Sequence, residues 1–281
     1  AIAWRVVPDV ERHRRPLDLP GLGLSVVAIA ALVLGFEEVA DAGSALRGVV
    51  LLVVAAVSGV VAWRWFGRVS DPLLDLTTLR IPTFRVSNLS GSVYRAVVTS
   101  APFLLPLLLQ DGFGWSPVEA GLMLTWVFVG NLGIKPFTTP LMRRVPLVPI
   151  IVAATLVLAA TFVLSAFFEP TTSRVVVALV LLVSGVARSV GFTAYNTVQF
   201  ADVPAERMGP ANALASVSGQ LATGLGVALA ALIVRLAQSA SPSASAAHGY
   251  QVALVAMAVI AVLSVVEGLR LPRGSGDAVR R

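Results

Sequence analysis

Residues 126–146 read WVFVGNLGIKPFTTPLMRRVP. The run has the length and apolarity that a bilayer core demands, about 20 residues. It also carries Lys135, followed at once by Pro136. A bare ammonium in hydrocarbon costs at least ~2.5–3.5 kcal/mol, so a membrane reading has to say what compensates that charge.

Composition supports the membrane reading. Of 281 residues, 57% are hydrophobic and 13% charged, and the mean hydropathy is +0.86. A soluble domain carries roughly a quarter charged residues. The apolar residues lie in long runs and not in the period-two alternation of a membrane barrel. The fold class is therefore an all-α polytopic membrane protein. Eight runs long enough to span fall near 20–38, 47–66, 86–109, 118–141, 147–168, 174–196, 212–236 and 249–270. Residues 1–7 look like the tail of an earlier span, so the sequence reads as a fragment whose N-terminal part is missing.

Charge excludes other classes. The net charge of +6 and pI near 10.9 would suit a nucleic-acid binder, but the basic residues follow the positive-inside bias of membrane proteins. With both ends cytoplasmic, one face collects Arg5, Arg12, Arg14, Arg15, Arg64, Arg68, Arg80, Arg85, Arg143, Arg144 and Arg207, together with Arg270, Arg273, Arg280 and Arg281. The other keeps Arg47, Arg174 and Arg235. No nucleic acid is needed as a partner. There is no cysteine, and both histidines, His13 and His248, fall in connections, so neither a metal site nor a cofactor is expected. Glycine pairs at 21–25 and 224–228 sit in apolar helices with no strand before them, which removes a dinucleotide site. No HExxH or GxSxG occurs, and no enzyme is expected. The dominance of arginine over lysine, with Ala/Val-rich runs, fits a GC-rich bacterial genome.

Polar residues inside the spans are the candidate site. Asn131, Lys135, Thr138 and Thr139 fall on one helical stripe, facing either a cavity or, by snorkelling of the lysine, the headgroups. Tyr94 and Arg95 lie near the middle of the third span, with Asn88, Gly91 and Thr99 nearby. Arg188 either faces the cavity or pairs with a carboxylate outside this sequence. Asn196, Gln199 and Gln220 serve as cavity donors or as interhelical hydrogen bonds. Ser218, Ala222, Gly226 and Ala230, four apart, make a small-residue packing face. Pro102 and Pro106 are expected to interrupt the third span, and Pro136 and Pro140 the fourth. Carboxylates are missing from the middle of spans three to eight; Glu267 lies near a helix end, and Glu37, Glu38 and Asp41 form a solvated turn.

Three stretches carry a family resemblance. DPLLDLTTLRIPTFRVSNLSGSVYRAVVTSAPFLLPLLLQDGFGWSPVEAGLM (71–123), NTVQFADVPAERMGPANALASVSGQLATGLGVALAA (196–231) and RRPLDLPGLGLSVVAIAALVLGFEE (14–38) resemble the fourteen-spanner drug:proton antiporters of the major facilitator superfamily. The loop MRRVPLVP keeps only the basic pair, Arg143 and Arg144, of the corresponding loop signature. The resemblance implies a C-terminal six-helix bundle preceded by two extra transmembrane helices. Residues 1–18 would be the end of a preceding span and a cytoplasmic linker, 19–67 the two inserted helices, 68–85 a cytoplasmic linker, 86–271 the bundle and 272–281 a cytoplasmic tail. The implied function is efflux of small amphipathic molecules by alternating access. The implied partners are a small-molecule substrate, protons, the lipid bilayer and a missing N-terminal six-helix half that holds the proton-carrying acid. A transport-inactive scaffold or sensor of the same fold is the alternative.

The orientation is directly testable, because the chain has no cysteine of its own. Single cysteines introduced at 72–80 are expected to resist a membrane-impermeant maleimide added outside intact cells, and those at 238–247 to react. The opposite pattern inverts the topology.

Overall fold

A computed structural model describes residues 18–39, 45–69 and 72–268. The expectations for residues 1–17, Asp41 and the tail 272–281 lie outside the described residues, as do those for the side chains of Glu37 and Glu267. All regular structure among the described residues is helical. In chain order the helices are α1 (Leu19–Val39), α2 (Ala45–Phe66), α3 (Pro82–Leu107), α4 (Pro117–Gly133), α5 (Lys135–Arg144), α6 (Leu147–Ala166), α7 (Arg174–Phe200), α8 (Met208–Ala240) and α9 (Ala246–Gly268). Seven of them are long and apolar enough to cross a membrane, and α4 with α5 makes an eighth span if the bent pair crosses as one.

The breaks follow backbone chemistry. Helix α3 runs on through Pro102 and Pro106, so these prolines do not interrupt it as expected. One turn after Pro106, Leu108–Gly112 widens into a π-helical turn. The turn is fastened by Tyr250, which donates to Asp111 Oδ2 at 2.8 Å. Helix α4 opens with a capping box, in which Ser116 Oγ accepts from the Glu119 amide at 3.2 Å and Ser116 N donates to Glu119 Oε2 at 3.1 Å. Glu119 also pairs with Arg174 at 2.5 Å, tying the start of α4 to the start of α7. The fourth span bends by 45° between α4 and α5. Pro136 sits in the first turn of α5, where its lack of an N–H costs little.

Helix α6 packs on α7 and α9, α3 contacts α7, α8 and α9, and α4 lies along α7. Tyr94, Leu104, Leu108, Ile151, Leu158, Phe162 and Met257 fill the centre. The α4–α7 contact is a meeting of backbones. A Cβ on Gly130 would run into the Leu182 carbonyl, and one on Gly185 into the Val127 carbonyl. Small residues are what allow this approach.

The α1–α2 hairpin stands to one side. Only 17% of each of its spanning windows is buried, against 50% for α6 and α7. Its valines and Trp63 therefore face whatever surrounds the protein, and hydrocarbon suits them. The hairpin is pinned at one end by Asp18. Its Oδ1 accepts from Gly21 N at 2.8 Å and from Trp65 Nε1 at 3.0 Å, and its Oδ2 accepts from Leu73 N at 3.1 Å. One carboxylate thus caps α1, holds the end of α2 and fixes the connection to α3. A small apolar cluster of Phe66, Leu74, Phe84, Val203, Ala211 and Leu214 closes the same junction.

Two outcomes follow. Gly185→Val is expected to force α4 from α7 and to destabilise the protein by about 1–3 kcal/mol or more, read as a lowered unfolding midpoint in detergent. Gly130→Val should add little once Gly185 is already replaced, because both act on one contact. For Asp18, burial raises the carboxyl pKa, but the Trp65, Gly21 and Leu73 donors together outweigh it and leave the group below the usual carboxylate value. Its stabilisation is therefore complete at neutral pH and is lost as pH falls through that lowered value. The protection of the Gly21 and Leu73 amides, taken against the intrinsic exchange rate at each pH, is expected to fall on acidification below about pH 4, and Asp18→Ala should lower it at every pH.

Candidate functional site

Helices α3, α7 and α8 converge on a polar cleft. On α3, Asn88, Gly91 and Arg95 recur at helical spacing, as do Phe192, Asn196 and Gln199 on α7 and Ala215 and Gly219 on α8. Each set lies along one face of its helix. Asn88 joins the three helices, for its Nδ2 donates to Ser218 Oγ at 3.0 Å while its Oδ1 accepts from Gln199 Nε2 at 2.7 Å. Close packing comes from glycine and alanine. A Cβ on Gly226 would enter the Ala96 carbonyl, and Gly91 rests against the Tyr195 ring.

Arg95 occupies the middle of this cleft. Its guanidinium carbon lies 4.2 Å from the centroid of the Phe192 ring, a cation–π contact that offsets part of its desolvation. Gly219 leaves it room, since a Cβ there would stand 3.2 Å from Arg95 Cζ. Among the described residues Arg95 has no carboxylate partner. The enclosed volume is about 10 Å³, roughly enough for one water. The cleft has no room for a drug-sized molecule.

Behind that wall is a buried aromatic layer. The Tyr94 and Tyr195 rings lie 5.2 Å apart, and Tyr94 donates to the Ala187 carbonyl at 2.8 Å. The Tyr195 hydroxyl sits among Ser90, Thr155 and Ser264. Each of these three donates to a carbonyl of its own helix, and the buried Tyr195 hydroxyl makes no hydrogen bond among the described residues. Arg188, next to Ala187, is 6% exposed.

The remaining sequence candidates lie elsewhere. Asn131 is half-buried on α4, and Lys135 is exposed at the first residue of α5. Thr138, buried, donates to the Lys135 carbonyl at 2.7 Å, and Thr139 is exposed. None of the four lines the Arg95 cleft. Gln220 turns away from it, toward an apolar crevice of about 520 Å³ between α1 and α8 that Ile29, Phe36, Leu221 and Leu225 also line. Ser218, Ala222, Gly226 and Ala230 do share one face, and that face meets α3. Sequence reasoning missed Phe192, Gly219 and Asp18. A phenylalanine in an apolar run carries no signal of its own, but Asp18 stands three residues before a glycine at the start of a span, which is an N-cap pattern.

Among the described residues no group of three or more metal-ligating side chains occurs. Comparison with known proteins gives the lineage. The chain is 30% identical to a protein of Klebsiella pneumoniae (strain 342) named multidrug resistance protein MdtD, across 98% of this chain and 60% of that one. A protein of the same name from Enterobacter sp. (strain 638) is 27% identical over 99% of this chain and 60% of its own length. One from Serratia proteamaculans (strain 568) is 28% identical over 82% and 48%. The chain thus spans about 60% of the length of the first two relatives. Residues 88–277, from the start of the cleft through the last helix, match the Major Facilitator Superfamily, and the chain belongs to that family.

Proposed function

We propose that this chain forms the C-terminal side of a proton-coupled exporter of small amphipathic molecules, working by alternating access in a bacterial cell membrane. The observation that carries the reading is the Arg95 cleft, a polar wall in mid-membrane that encloses almost no volume of its own. Such a wall acts when a second bundle closes over it. The relatives extend well beyond the matched part, which supports the second bundle, and they are named multidrug resistance proteins, which supports the substrate class.

In this reading the α1–α2 hairpin is the inserted pair, residues 86–271 are the C-terminal bundle, and the connection through 72–80 faces the cytoplasm. Asn88, Arg95, Asn196 and Gln199 give directional contacts, while Phe192 gives an aromatic surface. Arg95 attracts anionic or strongly polar groups of a substrate. Among the described residues no carboxylate lies near the middle of α3 to α9, so the proton-carrying acid belongs to the opposite bundle. Lys135, exposed where α5 begins, is available to that bundle or to the headgroups.

Arg95→Met keeps length and apolarity but removes the charge. In everted vesicles it is expected to cut substrate-driven proton flux roughly 10- to 100-fold, the worth of one charged hydrogen bond, with normal membrane insertion. Arg95→Lys should keep part of the flux. Liposomes holding only 1–281 should show none. Full flux in the Met variant would take Arg95 out of the transport path.

A further inference from the structure

Arg188 poses an electrostatic problem that the efflux reading does not use. It lies 12 residues from Phe200 and 14 from Arg174 along α7, about 18 and 21 Å at 1.5 Å per residue. No arginine side chain reaches a headgroup over that distance, so snorkelling is closed to it. The side chain is 6% exposed. Its Nε and Nη2 atoms are sealed from solvent, and neither has an acceptor.

The pattern of what is missing is informative. Nε–H and one N–H of Nη2 lie on the same edge of the planar guanidinium and point in parallel. That edge is a fork whose spacing matches the two oxygens of a carboxylate. The Tyr94 hydroxyl, bonded to the residue before Arg188, is a neutral phenol that donates its proton to Ala187 O. Ser184, Gly185, Val190 and Gly191, its buried neighbours along α7, carry no charge. A buried charge lacking its partner is strongly unfavourable, whereas a paired one is tolerated.

We infer that Arg188 is the socket for a carboxylate that is not among the described residues, gripped through the Nε/Nη2 edge. Two sources share this chemistry: an acidic side chain of a protein segment that packs against α3 and α7, or the carboxylate of a bound molecule. Tyr94 joins the socket to the cleft. It lines the cleft, bonds to the residue before Arg188 and lies over Gly191, where a Cβ would strike its hydroxyl. Tyr94 is held by its bond to Ala187 O and by its packing on Tyr195, so opening the fork requires that buried ring to shift. The assignment stands on the unfilled fork, whether or not the chain exports drugs.

The test compares wild type with Arg188→Met and Arg188→Lys by thermal unfolding, in purified 1–281 in detergent and in native membranes. In the purified chain, Met removes an unpaired buried charge and is expected to raise the midpoint by roughly 3 °C or more. In native membranes, where any partner segment is present, the same change should lower it. That reversal assigns the protein source. A carboxylated amphipathic dye and its methyl ester, added to the purified chain, test the other source. Stabilisation of wild type by the acid alone, lost in both the Met and the Lys variants, assigns a bound molecule. If Met shifts both preparations in the same direction and the dye does nothing, the socket does not exist. If Met fails to fold, Lys replaces it in the reversal test. Lys keeps the charge without the fork, so it should lower the midpoint only in native membranes.

Discussion

Hydrocarbon offers no hydrogen bond, and nearly every polar feature of this chain answers to that constraint. The backbone answers by staying helical. Ser90, Thr155, Thr161, Ser165 and Ser264 answer by donating back to a carbonyl of their own helix. Asn88 and Gln199 answer by bonding across helices. Ser87 Oγ, Ser189 Oγ and the Tyr195 hydroxyl are buried without a partner among the described residues, and against this background two charged exceptions stand out. Arg95 is half-compensated by an aromatic face, and Arg188 is not compensated by anything described. In a soluble protein water could hide such residues. Here they mark where something else belongs.

The same constraint sets how the helices meet. Lipid gives apolar side chains no reason to prefer each other, so association depends on close packing. The reciprocal contact of Gly130 with Leu182 and of Gly185 with Val127, and of Gly226 with Ala96, brings backbones together in the way small residues permit. These contacts fix α4, α7, α3 and α8 as neighbours. In doing so they fix which faces of α3, α7 and α8 can form the cleft.

Much of this was legible in the amino-acid order. Apolar run length placed the long helices to within a few residues, because a bilayer sets that length directly, but it merged α4 and α5 into one run. The family followed from the order of its motifs. The Ser218–Ala230 stripe was legible because period and residue size are both local properties. The site was legible by type and less well by place. Polar side chains in a span announce themselves, but their azimuth depends on helix packing, so Tyr94, Arg95 and Asn196 fall together while Gln220, one residue beyond Gly219, faces the opposite way. Lys135 resisted for another reason. The stripe with Asn131 assumed one continuous helix, and the 45° bend between α4 and α5 intervenes. The prolines of α3 misled in the reverse direction, since the helix runs through both and turns π-helical only beyond Leu107.

The hairpin's attachment bears on how such a bundle could move. Asp18 binds α1, the end of α2 and the start of the connection to α3 at one level, and the adjoining apolar cluster reaches α3, α7 and α8. Away from that level α1 and α8 part around an apolar crevice of about 520 Å³. An element clamped at one end and loosely seated along the rest can tilt without breaking polar contacts, because the crevice walls exchange one apolar neighbour for another. Helix α8 carries Gly219 and Ser218 on its cleft side and Gln220 and Leu225 on its crevice side. A tilt of α8 that narrows the crevice therefore also shifts the support beneath Arg95. The α1–α2 hairpin would thus bear on the cleft through α8, with Asp18 as the fixed point.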